Sequence, residues 1–352
     1  MNVAWDDQSL EEFLSLATDV SPEHPVVISK FVENSKEIEI DAVARKGEIL
    51  FHAITEHIEN AGIHSGDATV VLPAQRLYIE TIRKIRQISG KIAKALDITG
   101  PFNIQFLAQR GHVRVIECNL RASRSFPFCS KVSRVNMIEL AVKAMLDEPV
   151  EKPRVSAMDL EWVGVKAAQF SFSRLHGADP VSGVEMASTG EVGCIGTDVS
   201  DALLKALLSV GYKIPSGKAR VLLSTGPMEN KMDFLDSARK LVKMGHELYA
   251  SRGSAKFLAD NKVPVTALSW PLEKKTPNIA DLIRRREIDI IINIPKNNHK
   301  TELKNDYLIR RLAIDFDIPL FTNIKVAKEF IDALETLSNG TGLEIKAWEE
   351  YR

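Results

Sequence analysis

The chain has 352 residues, with 46 Lys and Arg against 47 Asp and Glu and a net charge of −1. That balance excludes bulk attraction to nucleic acid or to a membrane surface, and the length allows two domains, each with its own core. Cys118, Cys129 and Cys194 are scattered without a Cys-x-x-Cys pair, which fits a reducing compartment and excludes a disulfide framework or a cysteine zinc site. No apolar run nears the roughly 18 residues of a membrane helix, and the opening MNVAWDD is neither basic nor apolar enough for a signal or transit peptide. A soluble, intracellular chain is expected.

In chain order, Ser9-Leu10-Glu11-Glu12 has the capping-box pattern, with a helical stripe of Leu10, Phe13, Leu14 and Ala17 behind it. Residues 25–31, PVVISKF, read as a strand. Residues 37–43 alternate charge and hydrophobe, so Glu37, Glu39 and Asp41 share one face, and taken alone that face reads as solvated. A third strand at 49–54 runs into a loop over 56–67 that holds His57, Gly62, His64, Ser65 and Gly66. Residues 76–96 carry a helical apolar stripe with solvated basic residues between, and no aromatics interleave them as in a nucleic-acid patch.

After the Gly100-Pro101 break come strands at 102–107 and 113–119, joined by a turn at Arg110-Gly111. Side chains two apart on a strand point the same way, so Val115, Glu117 and Asn119 are expected to line up. The hairpin can bring Gln105 beside Glu117 and Asn119, and Arg121 and Arg124 follow at once. Hard oxygens suit Mg²⁺ or Mn²⁺, and guanidiniums suit phosphates. A polar hairpin rim with incidental arginines is the competing reading.

A helix at 137–145, a strand at 163–172 and a helix near 200–208 complete the first part, and Pro215-Ser216-Gly217-Lys218 is the best linker candidate. Beyond it the pattern becomes regular β/α alternation. Strands at 221–224, 247–250, 265–268, 288–294 and 319–321 are separated by helices at 232–244, through 258, at 279–285 and at 307–316, and a last helix spans 326–334. Five short strands with crossover helices predict a doubly wound parallel sheet with ligands at the strands' carboxyl ends, and an α/β chain overall. Ser251, Gly253 and Ser254 sit where a strand hands over to a helix, a position suited to anions. Lys231, Asn293, Lys296, Arg310 and Arg311 can add charge or hydrogen bonds around a phosphate, although the arginine pair also suits a solvated helix face.

Gln105, the Glu117-x-Asn119-x-Arg121-x-x-Arg124 string and Phe126-Pro127-Phe128 resemble the metal- and ATP-binding end of an ATP-grasp domain. More narrowly, IECNLRASRSFPF is similar to the second synthetase unit of the carbamoyl-phosphate synthetase large chain. The likeness continues through the loop at 57–67 and through 173–192. In 219–340, LYASRGSAKFL, IDIIINIPKNN and DYLIRRLAIDFDIPLFTNIKVAKEF resemble that chain's methylglyoxal-synthase-like regulatory domain.

The resemblance implies a partial ATP-grasp α+β domain over 1–214, a methylglyoxal-synthase-like allosteric domain over 219–340 and a tail at 341–352. It implies nucleotide contacts at Lys30, Val32, Glu37, Gly62, Ile63, His64, Ser65, Gln105 and Glu117, with His57 supporting the loop. Metal ligation falls to Gln105, Glu117 and Asn119, and catalytic stabilisation of charge to Arg121 and Arg124. Effector contacts fall to Lys231, Ser251, Ser254, Trp270, Asn293, Lys296 and Arg310. ATP and Mg²⁺ or Mn²⁺ are the implied cofactors, with K⁺ a further one. Carbamate or bicarbonate is the substrate, and the rest of the synthetase and a glutaminase are the partners, without nucleic acid or membrane.

The catalytic aspartates of true methylglyoxal synthases are absent, so the second domain is expected to bind an effector and catalyse nothing. Ser251 and Ser254 stand where the urea-cycle form has threonines, and Lys296 and Asp306 where it has asparagines. Trp270 is shared with that form. QFSFSRLHGADP and LYAS-x-G are closer to the pyrimidine-pathway form, which favours a uridine nucleotide over N-acetylglutamate. The chain begins inside the ATP-grasp domain, so little activity is expected of it alone. Another ATP-grasp carboxylate ligase, or a non-catalytic effector-binding module, are the rival readings. The family implies the cytoplasm, or the mitochondrion for a longer precursor.

Overall fold

The computed structural model describes residues 2–20, 23–215, 217–295, 300–338, 340 and 342–351. Its first part runs α1 (Asp7–Val20), β1 (Lys36–Arg45), β2 (Glu48–Asn60), β3 (Val70–Leu72), α2 (Ile79–Ala95), β4 (Gly100–Gln109), β5 (His112–Asn119), α3 (Phe126–Ser133), α4 (Met137–Met145), β6 (Val163–Gln169), β7 (Gly190–Gly196) and α5 (Val199–Ser209). The strands form one seven-stranded sheet in the order β5-β4-β1-β2-β3-β6-β7, and each paired neighbour is antiparallel.

The second part runs β8 (Arg220–Ser224), α6 (Met228–Lys243), β9 (Glu247–Ser251), α7 (Arg252–Asp260), β10 (Thr266–Leu268), α8 (Ile279–Arg284), β11 (Ile290–Asn293), α9 (Lys300–Asp315), β12 (Leu320–Phe321) and α10 (Ile324–Ser338). Its sheet is five-stranded, in the order β10-β9-β8-β11-β12, and parallel throughout. The α/β class with a doubly wound second sheet is therefore as expected from the alternation. Among the described residues no helix is long and apolar enough to cross a membrane.

Period-two patterning explains the first sheet. Ile38, Ile40, Ala42 and Ala44 of β1 face one way and pack with Ile82 and Ile85 of α2 and with Phe102, Ile104 and Phe106 of β4. Each such large side chain contributes about 1.5–3 kcal/mol when fully buried. The opposite face changes character along its length. Val43, Phe51 and Ala53 pack against Phe126, Phe128 and Val132 of α3 and Leu140 of α4, while Glu37, Glu39 and Asp41 occupy the other end.

A third cluster joins the two parts, because Leu203 and Leu207 of α5 share a core with Val221 of β8 and with Phe330, Ile331 and Leu334 of α10.

Several local expectations need correction. Residues 25–31 form no strand; Val27 and Ile28 are 85% and 65% exposed, and β-propensity without a neighbouring strand supplies no hydrogen-bond ladder. The strand expected to end at 54 continues to Asn60, since His57 pairs with Val70 and Glu56 with Val71. His57 therefore lies in a strand and not in a loop.

The acidic face of β1 is not solvated: Glu37, Glu39 and Asp41 are 5%, 2% and 0% exposed. Strand β5 is an exposed edge of the sheet. It is bulged at Ile116, because Gln105 pairs with Glu117 while the next residue, Phe106, pairs with Val115. The extra residue turns Val115 to the face opposite Glu117. At the start of α1 the cap is Asp6, whose Oδ1 accepts from the Ser9 amide at 2.7 Å, and Ser9 lies inside the helix. Arg310 and Arg311 do not form a solvated helix face, being 2% and 8% exposed.

Candidate functional site

The polar face of the antiparallel sheet gathers most of the candidates. Register sets Glu39 opposite Gln105 and Gln105 opposite Glu117, and Asp41 opposite Asn103 and Asn103 opposite Asn119. Gln105, Glu117 and Asn119 thus lie on the same face as the buried carboxylates. Asn119 Nδ2 donates to Glu117 Oε1 at 2.7 Å, and Gln105 Nε2 donates to Ser65 Oγ at 3.1 Å. That leaves both amide oxygens for another partner beside the exposed Glu117 carboxylate.

Among the described residues no three His, Cys, Asp or Glu side chains assemble a metal site. One carboxylate and two carboxamides nevertheless fit a hard cation that takes few protein oxygens and completes its shell with water and phosphate.

The residues beneath form a linked ionic layer. His57 Nε2 lies 2.8 Å from Glu39 Oε1, and Asn103 Nδ2 donates to Glu39 Oε2 at 3.2 Å and to Asp41 Oδ1 at 3.3 Å. Among the described residues His57 Nδ1, 4.0 Å from Glu37 Oε2, has no hydrogen-bond partner. Burial, reinforced by Glu39 and Glu59 against His57, pushes the Glu37 carboxyl up to about 7. Burial with Glu39 beside it does the same for Asp41, also to about 7. For Glu39 burial works upward too, but the bond and charge of His57 hold its carboxyl below the usual range. Burial alone would lower His57; the Glu39 bond and the Glu37 charge raise it instead.

The loop of Gly62, Ile63, His64 and Ser65 covers this face, all four half-buried. Gly62 has φ 115°, and an added Cβ would press on the Phe31 ring at 3.0 Å. At Gly66 a Cβ would lie 2.9 Å from Met186 Sδ and 3.1 Å from an Arg124 nitrogen, so a side chain there pushes Met186 aside and crowds the arginine. Residues 183–188 clamp the loop from outside. The His64 amide donates to Gly183 O at 2.7 Å, and the Asp67 carboxylate accepts from the amides of Ala187 and Ser188 at 2.9 Å each. Ser188 Oγ donates to Gly66 O and accepts from Arg124, both at 3.1 Å. Arg121 is exposed, and its recorded bond goes to the neighbouring Ala122 carbonyl.

Lys166 was not foreseen. It is 1% exposed, donates to Ser65 O at 3.1 Å and lies 3.3 Å from Glu191, which is 3.8 Å from Arg124. A lysine inside the apolar run VGVKAAQ was the available signal, since a buried ammonium needs a buried partner.

Lys30 and Val32 stand apart from this cluster. They line a cleft of about 540 Å³ with Gln109, Arg110 and Arg114 at the tip of the β4–β5 hairpin. A larger cavity, about 680 Å³, lies between the two parts and is lined by Glu59, Gly62, Gln169, Tyr212 and Asn323 among others.

In the parallel sheet, Ser251, Ser254 and Asn293 are 3%, 2% and 0% exposed. Ser251 Oγ donates to Ser224 Oγ at 3.3 Å, Ser254 Oγ accepts from the Thr225 amide at 3.2 Å, and Asn293 Nδ2 donates to Asp306 Oδ1 at 2.8 Å. A Cβ on Gly253 would lie 3.5 Å from Lys231 Nζ, so that ammonium converges on the start of α7. Trp270 is half-buried beside Leu268 and Ile279. Arg310 donates to Asn293 Oδ1 at 2.8 Å and holds Asp179 of the first part with two bonds, at 2.7 and 2.5 Å. Arg311 donates to the carbonyls of Phe172, Leu175 and Ala178. Lys296 lies outside the described residues.

Residues 1–152 match the family described as carbamoyl-phosphate synthase L chain, ATP binding domain, and residues 233–322 match the MGS-like domain. The multifunctional protein pyr1-3 of Dictyostelium discoideum is 49% identical over 353 residues, covering 99% of this chain and 16% of that protein. The multifunctional protein URA2 of Saccharomyces cerevisiae is 47% identical over 343 residues, covering 95% of this chain and 15% of that protein. The human mitochondrial carbamoyl-phosphate synthase [ammonia] is 44% identical over 344 residues, covering 95% of this chain and 23% of that protein. The chain therefore spans less than a quarter of the length of each.

Proposed function

We propose, for a chain that belongs to the carbamoyl-phosphate synthase large-chain family through residues 1–152 and to the MGS-like family through residues 233–322, that it forms the carboxyl-terminal part of such a synthetase. In the intact enzyme this part phosphorylates carbamate with ATP. A carbamate oxygen attacks the γ-phosphorus, the bond to the β–γ bridging oxygen breaks, and ADP leaves. Gln105, Glu117 and Asn119 hold Mg²⁺ or Mn²⁺, which supplies charge neutralisation to the ATP phosphates; K⁺ is a further candidate ion. The loop at 62–65 with Glu37 seats the nucleotide, and Lys30 and Val32 line the cleft at the adenine end. Arg124, oriented by Ser188 and Glu191, and the exposed Arg121 meet the charge on the transferring group. That work is positioning and electrostatics and needs no covalent intermediate.

The observation that carries this reading is the register that brings Gln105, Glu117 and Asn119 onto the face above the buried carboxylates and beneath the Ser65 loop. In the intact synthetase Glu117→Ala is expected to lower carbamoyl-phosphate formation at least about a hundredfold, beyond what losing a supporting contact costs. Its far-ultraviolet circular dichroism stays that of the wild type. Normal turnover at ordinary Mg²⁺ overturns the assignment.

We place the boundary between the two domains at 214–219. The second domain binds a phosphate-bearing effector at the carboxyl ends of its strands, through Lys231, Ser251, Ser254, Trp270, Asn293 and Lys296 with Arg310 behind them. A uridine nucleotide suits this set better than N-acetylglutamate. A glutaminase and the remainder of the synthetase are the partners, and the cytoplasm the site of action.

A further inference from the structure

The two candidate arginines sit on the turn at 120–125 between β5 and α3, a short segment with few internal bonds. Its amide links are Phe126 N to Ser123 O at 3.3 Å and Cys129 N to Ser125 O at 2.9 Å. Ser123 of the turn reaches down to β1, where its Oγ donates to Asp41 Oδ1 at 2.6 Å.

Asp41 is 0% exposed on β1, where the polar half of the sheet face meets the apolar half packed on α3. The same carboxylate accepts from Asn103 Nδ2 at 3.3 Å, and Cys129 Sγ in α3 lies 3.7 Å from its Oδ2. Asn103 is the register partner of Asn119. A carboxyl in this position therefore touches both halves of the phosphate site from below, the arginine turn directly and the hairpin through one amide. Burying it costs several kilocalories unless its oxygens are satisfied, and the three donors around it supply that satisfaction.

We propose that Asp41 is a positioning residue that fixes the Arg121–Arg124 turn relative to the Gln105–Glu117–Asn119 hairpin, through Ser123 on one side and Asn103 on the other. The role rests on the phosphate-site reading above, but the geometry it describes does not depend on which nucleotide binds. Oxygen acceptance at fixed reach is what matters, so asparagine serves in place of aspartate and alanine does not. A short side chain is also required, because Cys129 closes the space beyond Oδ2.

Hydrogen exchange on this chain and calorimetry on the intact synthetase test this together. Asp41→Ala and Ser123→Ala are each expected to speed exchange of the Phe126 and Cys129 amides about tenfold, the equivalent of one lost hydrogen bond, while amides of β4 and α6 exchange as before. The double variant goes no further than Asp41→Ala alone, because the Ser123 link is already lost there. Asp41→Asn restores wild-type exchange. In calorimetry with Mg²⁺ present, the alanine variants lose about tenfold in ATP affinity and less than about twofold in ADP affinity, since the arginines meet the terminal phosphate.

Unchanged exchange at Phe126 and Cys129 in Ser123→Ala overturns the proposal, and so does an Asp41→Asn variant as damaged as Asp41→Ala. Wild-type protein that binds no ATP while the exchange results hold defeats the phosphate-site reading and leaves the positioning role standing.

Discussion

On the antiparallel sheet most of the buried polar groups are ionisable: Glu37, Glu39, Asp41, His57, Glu59 and Lys166 are all at most 5% exposed and crowd one face. At the strand ends of the parallel sheet the buried groups are mostly neutral, Ser224, Thr225, Ser251, Ser254 and Asn293, with Arg310 and Asp306 as the charged members. Both layers are hydrogen-bonded, yet they suit different work. Charges held out of water are expensive and strongly felt at short range, which suits handling a metal and a transferring phosphoryl group. Hydroxyls and amides at the start of a helix bind an anion without storing much electrostatic free energy, which suits a reversible effector. The two parts meet where Arg310 of α9 grips Asp179 in the loop between β6 and β7.

That junction is where the contrast is most easily broken. Asp179→Asn leaves a guanidinium whose side chain is 3% exposed without its carboxylate. A loss of about 2 kcal/mol in urea unfolding is expected, the scale of a hydrogen bond to a charged group, because Asp179 is itself 40% exposed and Asn293 still accepts from Arg310. A change under about 0.5 kcal/mol, typical of surface substitutions, means that water already satisfies Arg310.

Proton linkage sharpens the contrast at smaller amplitude. Glu37 and Asp41 are raised to about 7 in the folded protein, against ordinary carboxyl values of about 4 in the unfolded chain. Between those values the folded state holds protons that the unfolded state has released. Their contribution is therefore complete near pH 4 and is lost as pH rises through about 7. Glu39, displaced downward, acts in the opposite sense, but only as pH falls below the usual carboxyl range. The urea midpoint is expected to fall from pH 5 to about pH 7.5, and a Glu37→Gln, Asp41→Asn variant flattens that slope. A midpoint that rises over the same window counts against buried protonated carboxyls.

The smallest effect belongs to the effector side. Lys231→Ala is expected to weaken binding of a uridine nucleotide about tenfold and of N-acetylglutamate much less, with added salt narrowing the difference. Calorimetric titration with both ligands decides it, and tighter binding of N-acetylglutamate, unaffected by the substitution, reverses the choice of effector.

Much of this protein is written locally. Apolar residues at helical or two-residue spacing located the helices at 79–95, 137–145 and 199–209, the strands of the parallel sheet, and the hairpin that sets Gln105 against Glu117. Those signals need only neighbours a few residues away, so sequence by itself determined them.

Burial of charge is different, because it is decided by partners far along the chain. Glu37, Glu39 and Asp41 read as a solvated face until Asn103, Ser123 and Cys129 close over it. His57 read as a loop residue because the strand that pairs with it, β3, is only three residues long. The bulge at Ile116, which separates Val115 from Glu117, follows from fitting β5 to β4 and has no signature in the alternation itself. Arg310 and Arg311 could face water on an isolated helix, and only the segment at 172–179 folding against α9 made them a buried contact between the two parts. Sequence settled where the elements lie and which residues share a face. Tertiary structure decided which of those faces water reaches, since desolvation depends on everything packed nearby and not on spacing along the chain.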